Sequence, residues 1–249
     1  MCKRFLWTGK AELTRKSLVA WSRLCHPQSA GGLNFIDIFL WNKSDVCKLL
    51  WNMCMKKDKL WAKWIHAYYG KGRSVWEIEP KQASWVVQKI FKAKKKYFDE
   101  AGFSRIELQV VQQPSIKSIY QRLQGQFDKV SWKGIICGKQ GSPKWIFILR
   151  LAALERLYTC DRLIKWGMDN IDEQCQLCRG APKTLNHVFF TCPFSGSIWL
   201  RLLQWLHING TNMGWDDELK LAETWCKGRS SRAKVYEIVL AATVYYVWK

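Results

Sequence analysis

Three cysteines and one of the chain's four histidines fall within CQLCRGAPKTLNHVFFTCPF, as Cys175, Cys178, His187 and Cys192 in the spacing C-x2-C-x8-H-x4-C. Thiolate and imidazole are ligands that tetrahedral zinc accepts, and a structural site needs four of them with no open position. Two cysteines separated by two residues suit a tight turn that aims both sulfurs at one ion, and Gly180 and Pro182 keep the chain irregular just beyond. Thr184 is an N-cap type, so Leu185 to Phe190 is expected as a short helix carrying His187. Pro193 biases Cys192 away from helical backbone, which ends that helix and makes Cys192 the cap residue of the next. There the positive end of the helix dipole favours the thiolate that a metal needs. Three thiolates around Zn²⁺ leave a formal charge of about −1, and Arg179, Lys183 and Arg201 are close enough in sequence to offset it. Val188, Phe189, Phe190, Phe194, Ile198 and Trp199 supply side chains for a dry shell. Two other readings stay open on spacing alone: chance among core cysteines, and a C-x-x-C redox pair, here without the strand and helix of a thioredoxin context.

Such ligands need elements to position them. Pro114 and Ser115 signal a helix start, followed by Ile116, Ile119, Tyr120 and Leu123 on one face. In SPKWIFILRLAALERLYT, Ser142 is an expected N-cap and Pro143 the first helical residue, with an apolar stripe through Trp145, Ile148, Leu149 and Ala152. Thr159 caps a second short helix through Leu163 and Trp166, closed by Gly167. After the cysteine stretch, SIWLRLLQWLHI and RAKVYEIVLAATVYYVWK both read as apolar helices. Earlier in the chain, SAGGLNFIDI predicts a turn and then an extended piece or a helix start. Cys47, Leu50, Trp51 and Cys54 form one helical stripe, and Trp61, Trp64, Ile65 and Tyr68 a second that Gly70 and Gly72 stop. From Glu77 to about Pro114 the pattern weakens around the basic run KIFKAKKKYF, which reads as a solvated helix face or as a face along a phosphate backbone. Tryptophans at helical spacing are expected in the core rather than as base-stacking platforms. The fold class expected is mainly α.

With 40 basic and 20 acidic residues among 249, the formal net charge is +20. A field of that size attracts polyanions, so RNA or DNA is the first partner to expect and a membrane surface the second to consider, with a protein partner as a separate possibility. No apolar run is long enough to span a bilayer, and no membrane partner is expected. The start MCKRFLWTGKAELTRK has no apolar core or cleavage site of a signal peptide, so an intracellular location, nucleus or cytoplasm, is expected, with reduced thiols. Cys2, Cys25, Cys47, Cys54, Cys137, Cys160 and Cys226 then read as core or incidental residues.

CQLCRGAPKTLNHVFFTCPFSGSIW resembles the zinc-binding module at the C-terminal end of plant LINE-like (non-LTR) retrotransposon reverse transcriptases. SPKWIFILRLAALERLYTCDRLIKWGM looks like the helical lead-in of the same module, and PSIKSIYQRL like its opening segment. FLWTGK, LVAWSRLCHPQSAGGLNFIDI and LLWNMCMKKDKLWAKWIHAYYGKG are similar to the part of those proteins between polymerase core and zinc module. The resemblance implies a helical segment over 1–76, a basic connector over 77–112, a zinc-binding domain over 113–207 and a helical extension over 208–249. It places the family's ligands on Cys175, Cys178, His187 and Cys192, and implies one structural zinc ion. Lys183 stands where the family usually has an acidic residue, and Arg150 where an aromatic is usual.

The same resemblance shows what is missing. Polymerisation by two-metal chemistry requires clustered carboxylates, in this family an aromatic-x-Asp-Asp turn. The adjacent pair Asp216 and Asp217 follows MGW, with Gly214 in the place of the aromatic, and reads as a turn or helix start. The expectation is a non-catalytic, zinc-bearing retrotransposon fragment that binds nucleic acid through a basic surface. The alternatives are a scaffold docking on a polymerase core or host protein, and a decayed fragment without a selected role.

Overall fold

The computed structural model describes residues 18–55, 58–79, 82–100, 114–137, 141–168, 171–211, 213–226 and 230–249. Cys2, the FLWTGK segment, the connector between 101 and 113, and the side chains of Tyr97, Phe98 and Cys137 lie outside what is described. The helices are α1 (Trp21–Leu24), α2 (Ile38–Met55), α3 (Leu60–Ile65), α4 (Trp85–Glu100), α5 (Ile116–Gln124), α6 (Lys133–Cys137), α7 (Pro143–Ala153), α8 (Cys160–Lys165), α9 (Pro193–Trp205), α10 (Trp215–Trp225) and α11 (Ser231–Trp248). Among the described residues extended pairing is confined to one antiparallel bridge, Gln174 with Pro182. The protein is mainly α, as its periodicity predicts. No described helix is long and apolar enough to cross a membrane.

Packing divides the chain into two compact units, Phe35–Phe127 and a second that joins the segment ending at Asn34 to Asp128–Lys249. These limits follow contacts, and they fall at places other than 77, 113 and 208, where the sequence pattern changes.

In the unit Phe35–Phe127, α2 packs against α4 and α5. Asp37 starts α2 by accepting the N–H groups of Phe39 and Leu40 at 2.9 and 3.3 Å, an N-cap that offsets orphaned donors. Cys47, Leu50 and Trp51 are buried at the expected spacing and meet Val87, Ile90, Phe91 and Ile119. Ser115 caps α5 through a 3.0 Å bond from the Ser118 N–H. The stripe expected from Trp61 to Tyr68 does not hold: Ala62 and Ile65 are buried, whereas Trp64 and Tyr68 are 53% and 63% exposed. After six residues α3 gives way to a π turn, His66–Gly70, whose wider i to i+5 closure rotates Tyr68 off the α-helical stripe, while the exposure of Trp64, within α3 itself, follows from which face of that helix is buried. Within the basic run, Lys94 is buried, and its ammonium donates to the carbonyls of Val75, Trp76 and Ile78 at 3.3, 2.6 and 3.0 Å. That lysine is a structural plug and belongs to neither of the two surface readings of its run.

In the other unit, α7 and α11 pair, and α9, α10 and α11 surround a second π turn at His187–Thr191. Leu149, Phe189, Phe190, Trp199, Leu203, Tyr236 and Leu240 are almost fully buried there. Burying a large apolar side chain contributes about 1.5–3 kcal/mol, so this cluster dominates the unit's cohesion. Ser142 and Thr159 occupy the N-cap positions of α7 and α8, and Gly167 closes α8 at φ 70°. The turn before α2 needs its glycine for space: a Cβ on Gly32 would lie 2.0 Å from the His26 carbonyl oxygen. Arg150 is buried on α7 despite its charge.

Candidate metal centre

The bridge between Gln174 and Pro182 closes a small loop that contains the first two cysteines. Cys175 N–H donates to Ala181 O at 2.8 Å and Arg179 N–H to Cys175 O at 2.7 Å, so the loop folds back tightly. Arg179 takes a left-handed conformation, φ 53°, and Gly180 N–H then points at Cys178 Sγ, 3.4 Å away.

The second pair of ligand-type residues comes from the segment between Thr184 and α9. Thr184 accepts the His187 N–H through Oγ1 at 3.2 Å and the Val188 N–H through its carbonyl at 3.0 Å, as an N-cap should. The helix does not stay α-helical: the Cys192 N–H reaches the His187 carbonyl at 2.8 Å, closing a π turn over His187–Thr191. Widening the turn leaves carbonyls without their usual donors. Thr191 Oγ1 donates to Asn186 O at 3.3 Å, and the buried Ser195 hydroxyl donates to Val188 O at 2.7 Å. Cys192 itself is extended, φ −66° and ψ 134°, with Pro193 at the first position of α9.

The outcome is a cluster in which the ligand atoms of Cys175, Cys178, His187 and Cys192 all lie within 4.8 Å of one another. Cys175 and Cys192 sulfurs are 4.0 Å apart, and Cys178 Sγ is 3.2 Å from His187 Nε2. Zinc–sulfur bonds of about 2.3 Å at tetrahedral angles require sulfur–sulfur edges of about 3.8 Å. Three sulfurs and one imidazole nitrogen at these separations fit a closed zinc site with little rearrangement. Cys175 and Cys192 are buried, while Cys178 and His187 are partly exposed. Burial pushes the Cys175 thiol up. At Cys192 burial is the largest influence and acts in the same direction, but the N–H groups of Ser195 and Phe194 at the start of α9, together with hydrogen bonds from Cys178 and Cys175, hold the thiol below its usual range. The helix start thus favours the thiolate, as its place before Pro193 predicts.

Around the cluster Val188, Phe189, Phe190 and Trp199 form the dry side, with Phe190 tilted on Trp199 at 5.4 Å. Phe194 and Ile198, expected in that shell, are instead 54% and 37% exposed. They face the other side of α9 and line an apolar groove of about 340 Å³ with Leu177, Leu202, Val239 and Tyr246. Of the expected compensating cations, Arg179 sits in the cysteine loop, Lys183 lies over the Trp248 ring at 5.0 Å, and Arg201 is exposed on α9. Sequence patterning carries no sign of Asn186. Its Oδ1 accepts the Trp215 N–H at 2.6 Å and occupies the space a Cβ on Gly214 would need. Trp215 in turn stacks on Phe190 at 5.7 Å and 17°.

The remaining cysteines behave as core or incidental residues where described. Cys25, Cys47 and Cys160 are buried, and Cys54 and Cys226 are half-buried. Asp216 and Asp217 lie in the first turn of α10 with Glu218, so the pair is a helix start. Their charges suit the positive helix end.

Residues 115–199, a third of the chain, match the family model described as zinc-binding in reverse transcriptase. An Arabidopsis thaliana protein named "Putative ribonuclease H protein At1g65750" is 28% identical over 89 residues, covering 36% of this chain and 13% of that relative. No solved structure matches the chain. The segment 115–199, with its gathered cysteines and histidine, is therefore similar to the zinc-binding module of reverse transcriptases.

Proposed function

We propose that Cys175, Cys178, His187 and Cys192 bind one structural zinc ion, and that the protein is a non-catalytic retrotransposon reverse transcriptase fragment that binds RNA or DNA through its basic surface. The convergence of the four ligand atoms within 4.8 Å carries the metal half of this reading. Bound zinc would supply cross-linking: it ties the cysteine loop to the π turn and the start of α9, and the chain's own contribution is to present three sulfurs and an imidazole in one shell. The net charge of +20 supports the binding half. The non-catalytic reading draws on the sequence, where the adjacent pair Asp216 and Asp217 has Gly214 in the place of the required aromatic and begins α10.

Metal analysis of the purified chain tests the first half, with about one zinc per chain expected and its loss in Cys175→Ser or His187→Ala. Affinity for nucleic acid tests the second. It should fall log-linearly with salt as neutralised phosphates release counterions. Salt-insensitive binding, or none at low salt, sinks that half alone.

A second reading, a structural scaffold that docks on a polymerase core or a host protein, rests on the apolar groove between α9 and α11. Contiguous exposed apolar surface of this kind marks interfaces. An Ile198→Glu variant that keeps zinc and nucleic-acid affinity but loses binding to a polymerase core favours this reading over the first.

A further inference from the structure

The stretch DKLWAKWIHAYYGKGR builds a second feature, in the unit Phe35–Phe127. The π turn His66–Gly70 brings Tyr68 over Trp64, with ring centroids 5.4 Å apart and planes only 9° from parallel. Tyr69, half-buried, braces both edge-on, 5.7 Å from Trp64 at 86° and 4.8 Å from Tyr68 at 77°. The turn is anchored beneath: His66 Nε2 donates to Met53 O at 3.0 Å. Two aromatic rings are thus held parallel and preordered, yet both remain more than half exposed. Core packing does not account for that arrangement, since burial is what large aromatic rings ordinarily contribute.

The flanks decide what such a slab suits. Lys59, Lys63, Lys71 and Arg73 are all exposed, and Asp58 is the one carboxylate between 58 and 73. An apolar protein face would match Leu60, which is exposed on the same stripe, but would gain nothing from four cations. A single-stranded nucleic acid matches both parts: bases present π faces to stacked aromatics, and phosphates meet lysine and arginine.

We propose that the Trp64–Tyr68 slab is a base-stacking platform for single-stranded nucleic acid, with Lys59, Lys63, Lys71 and Arg73 as its phosphate-facing rim. This rests on the nucleic-acid reading above and assigns it a site. A base inside a duplex keeps both faces stacked, so the platform discriminates against double strands. A base–aromatic stack contributes about 1–3 kcal/mol on alanine substitution, which corresponds to roughly 5- to 150-fold in affinity.

The test measures fluorescence anisotropy of a labelled single-stranded oligothymidylate, and of a duplex of equal length, with the full chain at several salt concentrations. Trp64→Ala and Tyr68→Ala should each weaken single-strand binding by about tenfold, leaving duplex affinity and the salt slope unchanged. Trp64→Phe should retain most of the affinity, and Lys63→Ala should lower the salt slope by about one for both probes. Both rings are exposed, so unchanged circular dichroism serves as the folding control. Wild-type binding with a normal salt slope, combined with aromatic variants that bind the single strand as well as wild type, overturns the platform and leaves the general reading standing. Aromatic variants that lose only self-association or protein binding mark the stripe as a protein dock, which overturns the platform in the same way. A wild-type chain that binds neither probe at low salt overturns both.

Discussion

In each of the two compact units a loop is gathered around a place for positive charge, and the two solutions differ in where the charge comes from. In Phe35–Phe127 the gatherer is Lys94, whose ammonium reaches into the loop and takes three carbonyls. In the other unit three sulfurs and an imidazole converge, and the charge that would hold them is an exchangeable ion. Each unit also contains a π turn opened by a histidine. His66 commits its ring nitrogen to a backbone carbonyl, whereas His187 turns its own toward Cys178. A covalently tethered cation makes the first unit's loop independent of metal supply and chelators. The second unit's loop should answer to metal supply, thiol oxidation and chelators.

Chelation is the strongest way to break that parallel. Structural zinc in small modules binds with about 10–16 kcal/mol at neutral pH, so removing it should release the cysteine loop and the His187–Thr191 turn. Hydrogen exchange read by mass spectrometry should show protection lost there and retained at His66–Gly70. Equal loss in both turns would mean the units are not independent. The reciprocal break is Lys94→Ala, which strands three carbonyls. Loss of a buried, hydrogen-bonded charge should cost about 3 kcal/mol, seen as a lower denaturation midpoint with zinc content unchanged.

A smaller effect sharpens the contrast through pH. Glu218 is 1% exposed, neither oxygen has a hydrogen-bond partner of good geometry, and burial pushes its carboxyl up to about 6 against the opposing influence of the nearby Trp199 indole. Tyr236, also buried without a partner, is pushed up by burial and by Glu218. A raised folded-state value means the neutral acid stabilises the fold below the unfolded value, and that the contribution disappears as pH rises through about 6. Wild type should therefore lose about 2 kcal/mol between pH 4 and 7 relative to Glu218→Gln, measured as the difference in their thermal or urea stability profiles. Parallel profiles would show that Glu218 finds a partner in solution. Smallest of the four, His66→Ala removes one bond to Met53 O and should cost about 1 kcal/mol, without changing zinc content.

What can be read from the sequence divides along the same line. The gathered cysteines and histidine are legible because structural zinc sites draw mostly on sulfur and imidazole, and Pro193 fixes where the helix must stop. The N-cap Ser115 and the crowded Gly32 are legible because one position carries the cause, while Ser142 and Thr159 stand at the expected N-cap positions without a side-chain capping bond. The π turns are not. Nothing in HVFFT or HAYYG announces an i to i+5 closure, which depends on Thr191, Ser195 and His66 meeting groups that only the folded chain brings near. The same change of pitch takes Tyr68 off the stripe that periodicity sends to the core, whereas Lys94, on a regular helix, is drawn inward by the carbonyls of Val75, Trp76 and Ile78. Periodicity reports which residues share a face of a regular helix, and it is silent once the helix changes pitch. Phe194 and Ile198 show a related limit: proximity to a ligand in sequence does not decide which side of α9 they occupy.

Gly214 has an ordinary backbone, φ −70°, so what it contributes is vacancy. The Asn186 amide fills that vacancy and grips the first N–H of α10, one residue away from His187. Whatever fixes the imidazole therefore bears on the beginning of a helix distant in sequence, and an ion bound at the cluster would be felt at the Trp215 indole stacked on Phe190.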